Sequence, residues 1–276
     1  MKNIKDVSSW EWQNDWTTGT REKKWLSDGK LKYLFKEPKI FGELYAEVAA
    51  YQIGTIIFRL NVPKTEFAVR NGSYGVISKN FIDTQVNDNF VESVDFFPGE
   101  FDKYNLLDYK IEDALAFVSR YNLLEDFFNM CIFDYLIANQ DRHSENWGLI
   151  FKADGDVCFA PLYDNGSSLL NGISEPDIVK MSKDFRMFQA FTDRAKSIFS
   201  IDDKKRQKCA YFIKYLIAYD KKMFANAFAR FQGHSHDAIL NALNSIDGFF
   251  MTEDRKKLVV ELILYRVKII EALIEG

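Results

Sequence analysis

Apolar positions follow two rhythms along this chain. In residues 24–36, KWLSDGKLKYLFK, two short apolar runs flank Ser27-Asp28-Gly29 and predict two strands around a turn. From Gly42 to Ile53, GELYAEVAAYQI, the residues Leu44, Val48, Tyr51 and Gln52 recur by threes and fours. That spacing predicts a helix, with Gly54 as its stop. TEFAVR and YGVIS alternate on either side of Asn71-Gly72, a dipeptide that favours the tight turn of a β-hairpin. Residues 83–110 are polar, aromatic and irregular, broken by Pro98-Gly99, and predict a linker or an insertion.

The helical rhythm then takes over. IEDALAFVSRYN and LLEDFFNMCIFDYLIAN both predict helices; in the second, Leu124, Phe127, Cys131 and Tyr135 share a face, with Phe128, Ile132 and Leu136 beside it. WGLIFKA and DVCFAPLY predict two strands joined through Asp154-Gly155. From residue 205 to the end the pattern is helical again, most clearly in KLVVELILYRVKIIEALI. The expected fold is therefore α+β and two-lobed. Residues 1–82 form a strand-rich N-lobe and residues 83–276 a helical C-lobe with one hairpin, with a cleft between them as the natural site.

Composition narrows the classes. An apolar fraction of 47%, with 25 Phe and 13 Tyr among 276 residues, supports a packed core and excludes global disorder. The net charge of −4 gives no general electrostatic footprint for nucleic acid. Cys131, Cys158 and Cys209 have no metal-ligand spacing and sit among apolar residues, so buried free thiols are expected rather than a zinc site. No signal region and no run of membrane-spanning length occurs, which predicts a soluble, cytoplasmic protein.

The chemistry gathers at NQDRHSENWG, residues 139–148, between two apolar runs. Asp141 and Asn146 lie in a loop that leaves a helix and enters a strand. Asp164 follows the hairpin that begins at Trp147, and a hairpin returns its chain to where it started. Three hard oxygen ligands then converge, a set suited to Mg²⁺. Phosphoryl transfer needs such a set: one carboxylate for the acceptor hydroxyl, and an Asp and an Asn to hold the metal on nucleotide phosphates. Lys36, at the end of a strand run, suits a phosphate contact. Glu43 and Glu47 fall on one helix face, and either could pair with Lys36. TTGTREKKWL, residues 17–26, offers a small hydroxyl-rich loop whose backbone N–H groups could cradle phosphate. Taken singly, each residue has an ordinary reading. Lys36 fits a solvated strand face, Asp141 and Asp164 fit turns, and Glu43 and Glu47 fit surface charge. Arg142 and His143 are read as bracing the loop. The order of the pieces is that of a protein-kinase-like fold.

Two stretches make the resemblance specific. N-x-D-R-H-x-x-N-x-G, Asn139 to Gly148, followed by Ala160-Pro161-Leu162-Tyr163-Asp164-Asn165-Gly166, resembles the catalytic and metal-binding loops of HipA-like serine/threonine kinases. Thr18-Gly19-Thr20-Arg21-Glu22-Lys23 resembles their phosphate loop, and Leu34-Phe35-Lys36-Glu37-Pro38 their ATP-lysine strand. The resemblance implies a kinase dependent on ATP and Mg²⁺, with a protein serine or threonine as acceptor. It implies Asp141 as the catalytic Asp and Asn146 and Asp164 as metal ligands. It also implies Lys36 on the ATP phosphates, a covering loop at Gly19, Thr20 and Lys23, Glu43 on the following helix, and a hinge for adenine near Val76, Ile77 and Ser78. An antitoxin partner follows from the same resemblance. About sixteen residues precede the phosphate loop, so the expected form lacks the N-terminal subdomain of full-length toxins. Trp16 stands where some members carry a regulatory serine, with Thr17 and Thr18 as neighbouring hydroxyls. Phosphoinositide kinases share D-R-H-x-x-N and, with other small-molecule kinases of related fold, are the alternative within the fold. A non-catalytic nucleotide-binding module is the alternative outside enzymes.

Overall fold

The computed structural model describes residues 4–13, 23–82, 86, 88–97, 99 and 101–276. The N-lobe is a six-stranded sheet of β1 (Lys5–Asp6), β2 (Glu11–Gln13), β3 (Lys23–Ser27), β4 (Lys32–Lys36), β5 (Thr65–Arg70) and β6 (Ser73–Lys79), in the order β1-β5-β6-β4-β3-β2. All pairings are antiparallel except β1 with β5. The two turns read from sequence are present. Asp28 accepts the Lys30 and Leu31 amides between β3 and β4. Asn71 and Gly72 take positive φ angles of 49° and 86° between β5 and β6, the conformation such a two-residue turn demands.

Helix α1 (Gly42–Gln52) does not stop at Gly54. It runs on into a π-helical turn over Ile53–Ile57. Gly54 is a packing residue: a Cβ there would sit 2.6 Å from a Val62 methyl carbon and 3.2 Å from the Phe133 ring. α1 belongs to the C-lobe core. Leu44, Val48, Ala49 and Ile53 join one continuous apolar cluster with the C-lobe helices, and Gln52 reaches Ser245 at 2.6 Å. The outer side of the sheet keeps a small separate cluster: Val7, Leu26, Tyr33, Phe35, Ala68 and Ile77.

The C-lobe opens with β7 (Asn89–Glu92), inside the stretch expected to be a linker or insertion. β7 pairs antiparallel with β8 (Gly148–Phe151), which pairs with β9 (Val157–Phe159), to make a three-stranded sheet. Around it lie α2 (Ile111–Ser119), α3 (Leu124–Ile137), α4 (Glu175–Lys183), α5 (Phe185–Arg194), α6 (Cys209–Tyr219), α7 (Lys221–Phe228), α8 (His236–Leu243) and α9 (Glu253–Glu275). From Phe127 on, α3 is buried on all sides and is the central helix, with Phe127, Phe128, Ile132, Phe133 and Leu136 fully buried. Among the described residues no helix is long and apolar enough to cross a membrane.

At the seam of the three-stranded sheet, a Cβ on Gly148 would overlap the Val91 carbonyl oxygen and meet the Phe90 ring at 2.8 Å. Gly148→Ala is therefore expected to cost about 1–3 kcal/mol, the usual penalty for overpacking, read as a lower urea midpoint at an unchanged slope.

Candidate active site

The polar loop takes its shape from the end of α3. Ala138 turns left-handed, with φ 58°, and the Asn139 amide bonds back to the Asp134 carbonyl at 2.9 Å. This turn ends the helix and throws residues 139–146 across the mouth of the three-stranded sheet. The loop is then fixed by Arg142, which is buried. Its Nε donates to Asp134 Oδ2 at 2.8 Å and its Nη2 to Asp134 Oδ1 at 2.8 Å. Nη2 also reaches the Asn165 side-chain oxygen at 2.7 Å, while Nη1 reaches the Asn146 carbonyl at 2.7 Å and the Tyr163 carbonyl as well. One guanidinium thus links α3, the Asn146 loop and the chain just before Asp164. Burial disfavours its charge, but Asp134 beside it more than compensates and holds the guanidinium protonated.

The lysine end is built the same way. Lys36 Nζ lies 3.0 Å from Glu47 Oε1 and 3.2 Å from Asp164 Oδ1, and all three residues are buried. Burial would lower the Lys36 pKa, but the Asp164 and Glu47 carboxylates outweigh it and raise the pKa above the ordinary lysine value. Of the two glutamates left open by sequence, Glu47 bonds Lys36, while Glu43 accepts the Lys39 amide at 3.0 Å. The other Glu47 oxygen accepts the Asn165 amide at 3.2 Å. A continuous polar chain therefore runs from Lys36 through Glu47 and Asn165 to Arg142 and Asp134.

Asp141 is half-buried and makes no side-chain bond to this chain among the described residues. Its amide bonds the Asn139 side chain, its carbonyl accepts from Asn146 Nδ2 at 2.8 Å, and its Oδ2 lies 3.4 Å from Ser167 Oγ. Because Asn146 spends its nitrogen on Asp141, the amide oxygen is its remaining polar atom. That oxygen and the Asp164 carboxylate are hard donors on two loop segments, before β8 and after β9, whose backbones Arg142 joins, a donor set that fits Mg²⁺. His143 accepts the Glu145 amide on Nδ1 at 3.2 Å, which makes it a brace of the loop.

Between the lobes opens a cavity of about 380 Å³, walled by Trp25, Leu34, Lys36, Ser78, Lys79, Asn80, Phe81, Ile82, Phe90, Glu92, Glu145 and Tyr163 among others. Three rings form an apolar floor: Phe81 is 5.4 Å from Phe90 and 5.7 Å from Tyr163, and Phe90 is 5.8 Å from Tyr163. Ser78 lines the cavity, but Ile77 alternates to the opposite face of β6 and packs in the small outer cluster. The residues that follow Ser78, Lys79 to Ile82, line the cavity as well. Gly19 and Thr20 lie outside the described residues, and of Lys23 the backbone alone, as the start of β3, is described. Sequence reasoning did not single out Phe81, Phe90, Tyr163, Trp25 or Asp134. The rings look like ordinary core residues, and Asp134 sits within an apolar helix. The signal that could have found Asp134 is its place amid the apolar later turns of α3, away from the exposed Glu125 and Asp126 of the first turn: a buried carboxylate needs a cation, and Arg142 is the nearby candidate.

The family model for the HipA-like C-terminal domain matches residues 17–222. Among solved structures, the crystal structure of the Helicobacter pylori proinflammatory kinase CtkA superposes with a TM-score of 0.80 at 20% identity, covering 99% of this chain and 97% of that one. HipA from Shewanella oneidensis MR-1, solved in a complex with HipB and operator DNA, gives a TM-score of 0.50 at 12% identity, covering 93% of this chain and 66% of that one. No curated protein matches the sequence.

Proposed function

The chain belongs to the HipA-like C-terminal domain family, and on that footing we propose that it is a kinase that uses ATP and Mg²⁺ to phosphorylate a serine or threonine hydroxyl of a protein. One observation carries this reading. A protonated lysine is clamped between two buried carboxylates at the edge of an aromatic-floored cavity, and the loop holding Asp141 and Asn146 is locked to the same cluster through Arg142.

In this reading, the three rings and Leu34 take the adenine, and Lys36 meets the phosphates. Asn146 and Asp164 would hold Mg²⁺, which supplies charge neutralisation on the transferred phosphoryl group. Asp141 orients the acceptor hydroxyl and takes its proton. The acceptor oxygen bonds to the γ-phosphorus as the bond to the bridging oxygen of ADP breaks, so ADP leaves and the phosphoester stays on the acceptor. The residues supply position and charge, which is most of what this reaction requires of a protein.

The test is incubation of the purified protein with γ-labelled ATP and Mg²⁺, followed by mass spectrometry. A phosphorylated serine or threonine, on itself or an added protein, is expected. ATP bound but never transferred would instead favour a non-catalytic module, and transfer to added phosphoinositide would favour the lipid alternative. Self-modification, if found, has Thr17 and Thr18 as candidate hydroxyls. A second expected outcome concerns the lysine clamp. Glu47→Gln keeps an acceptor for Lys36 but removes one of its two charges, and is expected to lower kcat/KM for ATP by about tenfold or more. Glu43→Gln, on the carboxylate that accepts the Lys39 amide, should have the smaller effect. HipB, bound to HipA in the Shewanella toxin–antitoxin complex, supports an antitoxin as a partner here too, and cytoplasm is the compartment this role requires.

A further inference from the structure

The stretch from Lys196 to Lys208 carries five cations, Lys196, Lys204, Lys205, Arg206 and Lys208, all exposed. None has an ion-pair partner among the described residues, whereas the two acids of the stretch are engaged: Asp203 lies 3.2 Å from Lys110 and Asp202 accepts from the Tyr211 hydroxyl at 2.8 Å. This surplus sits on a chain whose overall charge is −4. Its geometry is also unusual. Lys196 and Lys208 are directly opposed in an antiparallel bridge, with the Ser197 amide bonded to the Gln207 carbonyl at 2.8 Å beside them. Residues opposed in this way project from the same face with Cβ atoms about 5 Å apart, and like charges so placed repel unless an anion sits between them.

The pair lies next to the catalytic loop. Lys196 and Ser197 share a small cleft of about 30 Å³ with Asn139, Gln140 and Arg142, the residues on either side of Asp141. Gln140 is exposed, so the surface runs from Asp141 over Gln140 to Lys196 and Lys208. We propose that this lysine pair, with Lys204, Lys205 and Arg206 beside it, reads acidic side chains that flank the acceptor hydroxyl of the protein substrate. The inference rests on the kinase reading above. An acidic polypeptide fits the surface better than nucleic acid does. Phe199, the one ring within the stretch, is buried, and the neighbouring exposed ring, Tyr211, has its hydroxyl tied to Asp202, so the stretch itself presents cations and no ring for base stacking.

The decisive variant is Lys196→Glu. It replaces a repelling cross-strand pair with an attracting one, so its thermal midpoint should hold or rise, and lost binding cannot be blamed on unfolding. The probes are fluorescein-labelled serine peptides with glutamate flanks or lysine flanks, followed by fluorescence anisotropy and by transfer from labelled ATP. The wild-type protein should bind the glutamate-flanked peptide about tenfold more tightly, with a preference that fades as salt is added. Lys196→Glu should erase the preference, and Lys196→Glu with Lys208→Glu should reverse it. In transfer, KM for the acidic peptide should rise while kcat holds. Equal binding of both peptides by the wild-type protein overturns the inference. So does an RNA oligomer whose binding follows the variants while peptide binding does not. Charge-selective binding without transfer to any hydroxyl sinks the kinase reading itself, and with it the substrate role.

Discussion

Asp141→Asn is expected to lower phosphate transfer by about 10³-fold, the middle of the range for a positioned acid or base, while leaving the fold intact. The stability half of this expectation comes from the surroundings. Asp141 is half-buried, and its one side-chain hydrogen bond among the described residues is the long one with Ser167. The backbone contacts that shape the loop, to Asn139 and Asn146, are untouched by an isosteric change. A drop in activity with an unchanged denaturation midpoint would therefore place the loss at the reacting atoms. Asp164→Asn should match it in activity for a different reason, since it weakens the clamp on Lys36 and removes a charged metal donor together. Full activity in both variants would remove the mechanism.

Arg142→Ala should instead destabilise the protein by about 3–5 kcal/mol, the cost of breaking a buried ion pair from one side. The size follows from what is stranded. Asp134, inside the central helix, loses both of its Arg142 bonds and keeps the Asn139 side chain. Two carbonyls and the Asn165 side-chain oxygen lose a charged donor as well. Arg142→Lys should recover little, because a single ammonium cannot reproduce a fork that serves Asp134, two carbonyls and Asn165. Urea denaturation followed by tryptophan fluorescence measures this, Trp147 being buried in the same loop. A loss under about 1 kcal/mol would mean that Arg142 is an accessory rather than the organiser of the loop.

The parts of the fold that were legible were those whose signals are local. Asn71-Gly72 announces its own hairpin, and α3 and α9 have enough periodic length to declare themselves. The nearness of Lys36 to Asp164, and of the Asn146 loop to the chain just before Asp164, is of a kind that residue types, order and one returning hairpin constrain. What stayed hidden depends on distant partners. β7, NFVE, has no alternation of its own and becomes a strand by pairing with β8, which lies beyond two intervening helices. The choice of Glu47 over Glu43 turns on which carboxylate reaches Lys36, a matter of geometry that spacing four apart does not encode. α4 and α5 are short and mix polar with apolar residues, yet α4 did carry a readable start: Ser174 caps the Asp177 amide and Pro176 follows within the first turn. Gly54 misled because glycine serves close packing as readily as helix termination.

The placement of α1 has a consequence for how the protein can be controlled. The helix that supplies Glu47 is embedded in the same apolar body as α3, α8 and α9, and its Tyr45 hydroxyl is tied to Arg255 of α9 at 3.0 Å. The segment after Asp164 is short and largely buried, and Arg255 also pins it at the Leu170 carbonyl. Drawing Glu47 away from Lys36 would mean opening the hydrophobic interior, at a cost comparable with the whole stability of a domain. The charged pair is thus a property of the folded chain rather than of one of its conformers. If the chain is the kinase proposed above, its silencing falls to something that occupies the cleft or the loop of Asp141 rather than to a swing of the helix that carries Glu47.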